Sequence, residues 1–201
     1  MKASNTCLSR DIFDIVETVA ISLVAIFIIL TMIFRICVVD GQSMENTLYN
    51  EEKLLVTDAF GDPEIGDIIV FQETSDYNKP LVKRVIATEG KWVRLSEGES
   101  VINITVYDEN EQNPVDVTYE YGTYKNAYRP FAYFQFMTID SVEYQNNGEW
   151  YFQIPEGHVF VLGDNRNNSS DSRSFGFVDN RTILGKLVIR VFPFSSFGTV
   201  D

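Results

Sequence analysis

GDIIVFQETSDYNKPLVKRVIAT, residues 66–88, holds two short apolar runs, 66–71 and 80–88, rich in valine and isoleucine and split by a polar stretch. β-Branched side chains pack well on a pleated surface, and the polar residues between the runs supply a turn, so the segment predicts two strands. Working outward, KWVRL, INITVY, WYFQI, HVFVLG and TILGKLVIRVF repeat the same style with turn residues between them. After residue 36 no window longer than about ten residues has helical spacing. The expectation is a mainly β domain with several small sheets. Residues 96–153, rich in Glu, Asn and Tyr and including TYEYGTYKNAYRPFAYFQF, read as an inserted subdomain on that core. Tyrosines in this number are ordinary on a twisted β-surface.

The amino-terminal end is of another kind. TVAISLVAIFIILTMIF, residues 18–34, carries no charge, and apolar neighbours on both sides extend the run across 12–36. A spanning helix needs roughly 20 apolar residues. A core helix of a soluble protein would be apolar along one stripe, whereas this one is apolar all round. A cleaved targeting peptide would have a shorter apolar region and a small-x-small site behind it, and neither is present. Residues 12–36 are therefore expected to be a retained transmembrane anchor in the lipid bilayer. Residues 1–11 form a short cytoplasmic tail and 37–201 an extracytoplasmic catalytic domain. Lys2 and Arg10 are opposed by Asp11, Asp14 and Glu17, so charge bias contributes little to that orientation.

The 201 residues carry a formal net charge of −13, and the imbalance lies entirely after the apolar segment. A nucleic-acid binder needs a basic stripe, and none is visible. Cys7 and Cys37 flank the anchor, and a helix between them would hold them about 45 Å apart, too far to pair. His158 is the single histidine, and nothing near it supplies further ligands beyond ordinary carboxylates, so neither a metal nor another cofactor is expected.

A hydrolase without a histidine base can use lysine, if burial in an apolar pocket brings its pKa down from about 10.4. Lys83 stands in Leu81-Val82-Lys83-Arg84-Val85-Ile86, where alternation puts it on one face with Leu81 and Val85. Ser43 stands two positions after Gly41, which permits close backbone approach, and directly precedes Met44; it emerges just past the anchor. The third element is VLGDNRNNSSDSRSFGFV, 161–178, in which Asp164 to Arg173 is a run of ten residues without an apolar side chain. Its carboxylates and arginines can pair and fix the loop, and its serines can orient a neighbouring amine.

In order, SMENTL (43–48), GDIIVF, KRVIATEG (83–90) and GDNRNNSSDSRSFG (163–176) resemble the boxes of type I signal peptidases, membrane serine proteases that remove signal peptides from exported proteins. The likeness covers 12–95 and 154–194 well and is loose over 96–153. It implies a fold of small antiparallel sheets behind one transmembrane helix. It also implies Ser43 as nucleophile, Lys83 as general base, and Ser169 as the residue that hydrogen-bonds and orients the amine. Arg84 with Asp164, and Asp171 with Arg173, are implied to hold the loop. Asn46 replaces a frequent family proline, which loosens the turn after Ser43. Gly41 lacks the hydroxyl that assists the oxyanion hole in some members, leaving the Ser43 N–H and the Gly41 region as the donors.

By the same resemblance the substrates are signal-peptide-bearing preproteins, bound extended and cut after a small residue through an acyl-enzyme, with Met44, Leu81 and Val82 around the pockets. Proximity to the secretion translocon is implied as well. A self-cleaving Ser/Lys repressor-type protease would lack both the uncharged run and the full GDNRxNSxDSR loop. An inactive membrane-tethered peptide-binding β-domain would have no need to keep Ser43, Lys83 and Ser169 together.

Overall fold

Ser4–Ile33 form one helix, α1, in the computed structural model, which describes residues 4–73, 79–97, 102–107, 114–121, 142–145 and 149–200. Within it Phe13–Ile33 is a stretch of 21 residues, long and apolar enough to cross a membrane. The hydroxyls of Thr18, Ser22 and Thr31 donate to the carbonyls of Asp14, Thr18 and Ile28, so these polar groups are satisfied inside the helix. The span begins within one residue of the expected 12–36 but ends earlier. Helix begins upstream at Ser4, and it stops at Ile33, after which Phe34–Val38 is strand β1. Ile36, Cys37 and Val38 are apolar but belong to a sheet, where their branched and compact side chains suit the pleat.

Ile36–Asp201 form a separate unit. Its strands are β2 (Lys53–Thr57), β3 (Ile68–Gln72), β4 (Pro80–Thr88), β5 (Trp92–Glu97), β6 (Ile102–Tyr107), β7 (Pro114–Tyr121), β8 (Val142–Gln145), β9 (Glu149–Gln153), β10 (His158–Leu162), β11 (Val178–Asp179) and β12 (Ile183–Phe192), with a short helix α2 (Ser172–Phe175). The protein is mainly antiparallel β with one N-terminal apolar helix. Among the described residues the strands gather into two sheets, of seven and five strands.

The larger sheet runs β1-β2-β12-β3-β4-β10-β11. Its centre is the pair read from the sequence: β3 and β4 are antiparallel, with Ile69 opposite Lys83 and Val70 opposite Val82. Period-two alternation then builds two cores. Ile68 and Val70 pack with Val39, Met44, Leu48, Leu54 and Val56, and Val82 joins them. Ile69 and Phe71 pack with Val85, Val159, Val161 and Val178, joined by Leu81 and Phe175. On the other edge of β4 lies β10, with Leu162 opposite Arg84, so the chain leaves the sheet at Gly163 close to Lys83.

The smaller sheet, β7-β6-β5-β9-β8, holds the region expected as an insertion, and it opens at Trp92, four residues before the expected start. Its ends are tied by Gly90 N–H to Ile154 O and Ile154 N–H to Lys91 O, both at 2.9 Å. Most of TYEYGTYKNAYRPFAYFQF, from residue 122 on, lies outside the described residues.

Candidate active site

The connection from β1 to β2 is a closed loop. Val39 N–H donates to Glu52 O and Glu51 N–H to Val39 O, each at 2.9 Å, which pinches its neck. Inside it, Leu48 N–H bonds Met44 O at 2.8 Å, and both side chains are buried in the core. Ser43 immediately precedes this anchored turn. Gly41 has φ +106°, a conformation that L side chains rarely adopt. Its N–H donates to Asn50 Oδ1 at 2.8 Å, so it is committed within the loop. The Ser43 N–H makes no backbone hydrogen bond among the described residues.

Lys83, from the middle of β4, is 2% exposed. Its Nζ lies 2.8 Å from Ser43 Oγ and donates to Val82 O at 2.9 Å. Burial lowers its pKa from 10.5 to about 8; the Asp171 and Asp164 charges pull it up, and those of Arg173 and Lys79 pull it down. Leu81 and Val85, two residues to either side, sit in the apolar cluster around Phe71, and this supplies the desolvation.

The 163–176 loop runs beside Ser43, whose carbonyl accepts from Asn165 N–H. Gly163 N–H donates to Asp171 Oδ2 at 2.9 Å, and Asp171 binds the Arg173 guanidinium through both carboxylate oxygens with neither side chain more than 7% exposed. Burial lifts the Asp171 carboxyl to about 6, against the opposing hydrogen bonds from Gly163, Ser169 and Arg173. Ser172 Oγ accepts from Val161 N at 2.9 Å and stitches the loop to β10. Asp164 pairs with Arg84 at 2.8 Å, and Arg84 Nη1 reaches Gly66 O at 2.9 Å. The expected pairs, Arg84 with Asp164 and Asp171 with Arg173, are thus brought together, and Ser43 with Lys83.

Two expected positions differ. Ser169 does not hydrogen-bond Lys83. Its Oγ is buried without a partner of ordinary hydrogen-bond geometry, although it bears on the Asp171 carboxylate and helps hold that group down. The amine is occupied instead by Ser43 Oγ and the Val82 carbonyl. Met44, expected at a pocket wall, is 1% exposed and belongs to the core beneath it, whereas Leu81 and Val82 are half-buried.

Several contacts were not read from sequence. Asn165 N–H donates to Ser43 O at 3.0 Å and Asn165 Nδ2 to Gln42 O at 3.0 Å, clamping residues 42 and 43. At Gly163 an added Cβ would fall 2.2 Å from Ser169 Oγ and 2.4 Å from Ser43 O. A glycine closing a buried strand was the available signal for such an approach. His158 stands at the opposite end of β10 from Gly163, its Nδ1 2.8 Å from Glu156 O.

The family profile described as "Signal peptidase, peptidase S26" matches residues 12–192. Signal peptidase IB of Staphylococcus aureus (strain COL) is 31% identical over 193 residues, 94% of each chain. Signal peptidase I of Leptolyngbya laminosa is 29% identical over 98% of this chain and 87% of that one. A solved signal peptidase I from Enterococcus faecalis V583 aligns with 23% identity and a TM-score of 0.38, over 64% of this chain and 98% of that one, too low a likeness to carry weight.

Proposed function

This chain belongs to the signal peptidase family, peptidase S26, and is a serine-type enzyme with a leader-peptidase role; on that premise we propose that Ser43 is its nucleophile and Lys83 its general base. The observation that carries the proposal is the 2.8 Å contact between Ser43 Oγ and the buried, pKa-lowered Lys83 amine. Neutral Lys83 takes the Ser43 proton as Oγ attacks the scissile carbonyl. It returns that proton to the departing amine, then activates the water that hydrolyses the acyl-enzyme. The Val82 carbonyl holds the amine in line. Ser43 N–H, which has no backbone partner among the described residues, is one oxyanion donor, and with the Gly41 N–H taken by Asn50 a second must come from elsewhere.

Ser169 acts at the next moment. Once protonated, Lys83 has a further N–H, and the Ser169 hydroxyl, which leans on Asp171 but accepts no hydrogen bond among the described residues, is available to receive it and steady the amine. Arg84–Asp164 and Asp171–Arg173 keep the loop over the dyad.

The enzyme acts on preproteins in association with a membrane, through one N-terminal apolar helix. We assign the signal peptide an extended pose along the sheet edge near Leu81 and Val82, with small residues at the first and third positions before the cut. Residues 37–201 then lie outside the cytoplasm and 1–11 inside, because such substrates arrive by export beside the translocon. Protease added to wall-stripped cells should degrade the catalytic unit; its protection would overturn that orientation. A proximity-labelling enzyme fused to the catalytic unit should mark translocon subunits above a membrane-protein background, and labelling no higher than that background would remove them as neighbours.

Ser43→Ala and Lys83→Ala should fold yet cleave a preprotein at least about 100-fold more slowly, as general-base contributions lie near 10²- to 10⁴-fold. Lys79→Ala, at the half-exposed Lys79 paired with Asp40 at 3.2 Å, should matter little. Equal losses at Lys79 and Lys83 would refute the dyad.

A further inference from the structure

Arg190 lies on β12, opposite Leu54 of β2, and no sequence motif singles it out. Its guanidinium serves three segments at once. Nη1 is 3.1 Å from both carboxylate oxygens of Glu52 and 3.4 Å from Thr47 O, while Nε donates to Ser196 O at 2.7 Å. Glu52 Oε2 also accepts from Tyr49 N at 3.2 Å. The Arg190 backbone pairs with Gly198 in both directions, at 2.8 and 3.1 Å. The two side chains are 16% and 7% exposed.

Thr47 and Tyr49 belong to the loop that carries Ser43, and Thr47 N–H closes the turn onto Met44 O at 2.8 Å. A continuous path therefore runs from the C-terminal turn Phe194–Ser196 through Arg190 to the residue after Ser43. From the other side Asn165 N–H holds Ser43 O. The nucleophile loop is gripped on two sides, and Arg190 is the polar half of the grip farther from the dyad.

Stability alone does not account for this arrangement. Apolar residues of similar volume often replace a buried ion pair at no loss of stability. They could not bind the Thr47 carbonyl, the Glu52 carboxylate and the Ser196 carbonyl together, which the planar fork of arginine does. What the arginine adds is geometry. We infer that Arg190 is a positioning residue for Ser43, acting through Thr47 and Glu52 and braced by the C-terminal turn; the inference rests on Ser43 being the nucleophile.

The test is the double variant Glu52→Gln/Arg190→Met in the full-length protein, which removes the clamp without leaving a buried charge unpaired. The result expected is a fall in kcat of about 10- to 100-fold, the scale of a misplacement near 1 Å. KM should stay within about twofold and the ionisation controlling the rate should not move, because the apolar enclosure of Lys83 is built from different residues. A folded double variant with wild-type kcat would overturn the inference, as would KM and the ionisation shifting along with kcat. If the double variant fails to fold, Arg190→Lys decides. It keeps a charge beside Glu52 but loses the fork, so a several-fold fall in kcat alone supports the clamp and wild-type kcat rejects it. Ser43→Ala run in parallel separates the two readings. Activity in that variant would remove the nucleophile assignment itself, whereas an inactive Ser43→Ala beside an unaffected double variant would remove only the role of Arg190.

Discussion

The sharpest consequence of a buried Lys83 is the shape of the pH–rate profile. The perturbation is titration of one amine whose pKa burial has lowered from 10.5 to about 8. At pH 7 about one molecule in eleven then holds the neutral base, against about one in 3,000 for a solvated lysine of ordinary pKa. Neutral amine rises about tenfold between pH 7 and pH 9 and then saturates. In the free enzyme kcat/KM reports this ionisation, so it should climb by the same factor and level off above about pH 9. A fluorogenic peptide with alanine before the cut, assayed from pH 6 to pH 10 on detergent-solubilised enzyme with folding checked at each point, gives the curve. A rate still rising tenfold per unit at pH 10 would mean that Lys83 is not desolvated as the structure has it. A rate independent of pH would mean that Lys83 is not the base.

The same burial has a cost in stability, so Lys83→Met should stabilise the protein at pH 7 by up to about 3 kcal/mol. The sign follows from the lowered folded-state pKa: the penalty is full below about 8, shrinks as pH rises, and is gone above the unfolded value near 10.5. Denaturant melts of both proteins at pH 7 and pH 10 check this, and an equal gap at the two pH values would contradict it. Gly163→Ala should lower activity by about 100-fold, since its Cβ would meet Ser43 O at 2.4 Å and push the nucleophile about 1 Å aside. Wild-type turnover in that variant would rule out the close approach. Ser169→Ala should reduce the plateau rate by roughly 10- to 100-fold, on the scale of other lost orienting contacts, with little movement of the ionisation; an unchanged plateau would end its proposed role.

The β3–β4 pair and the exit from β10 into the polar loop were legible because their information is local. Branched runs, a turn between them and a glycine at a strand end are properties of neighbouring residues, and the alternation that divides Ile68 and Val70 from Ile69 and Phe71 follows directly. Met44 was misjudged because adjacency to Ser43 says nothing about which way a side chain turns inside a loop, and here it points into the core. The end of α1 was misjudged because hydropathy does not distinguish an apolar helix from the apolar strand that continues it. Asn165 on Ser43 O, Asn50 on Gly41 N–H, and Arg190 on Glu52 were invisible for a different reason. Such contacts join residues distant in sequence or hidden inside one loop, and no periodicity marks a hydrogen bond made between segments. The Ser169 bond to Lys83 came from the family resemblance alone, and the arrangement seen here has the Val82 carbonyl in its place.

The charges around Lys83 explain how an acidic protein holds a lysine pKa well below its ordinary value. With a net charge of −13, the surroundings would be expected to favour protonation of any amine. Burial outweighs them first, and Asp171 is the next influence, pulling the pKa up. Its pull is limited because its oxygens are already engaged by the Gly163 N–H and by the Arg173 guanidinium, whose charge also pushes Lys83 down. Asp164 is handled similarly, engaged by Arg84 at 2.8 Å. Each carboxylate near the base is thus turned toward its own arginine, and the amine is left facing one hydroxyl and one carbonyl. A carboxylate in direct contact would instead hold the proton on the lysine and end its use as a base. Under the proposed roles, the polar loop from Asp164 to Arg173 serves the chemistry by keeping its own charges satisfied while its backbone holds Ser43 through Asn165.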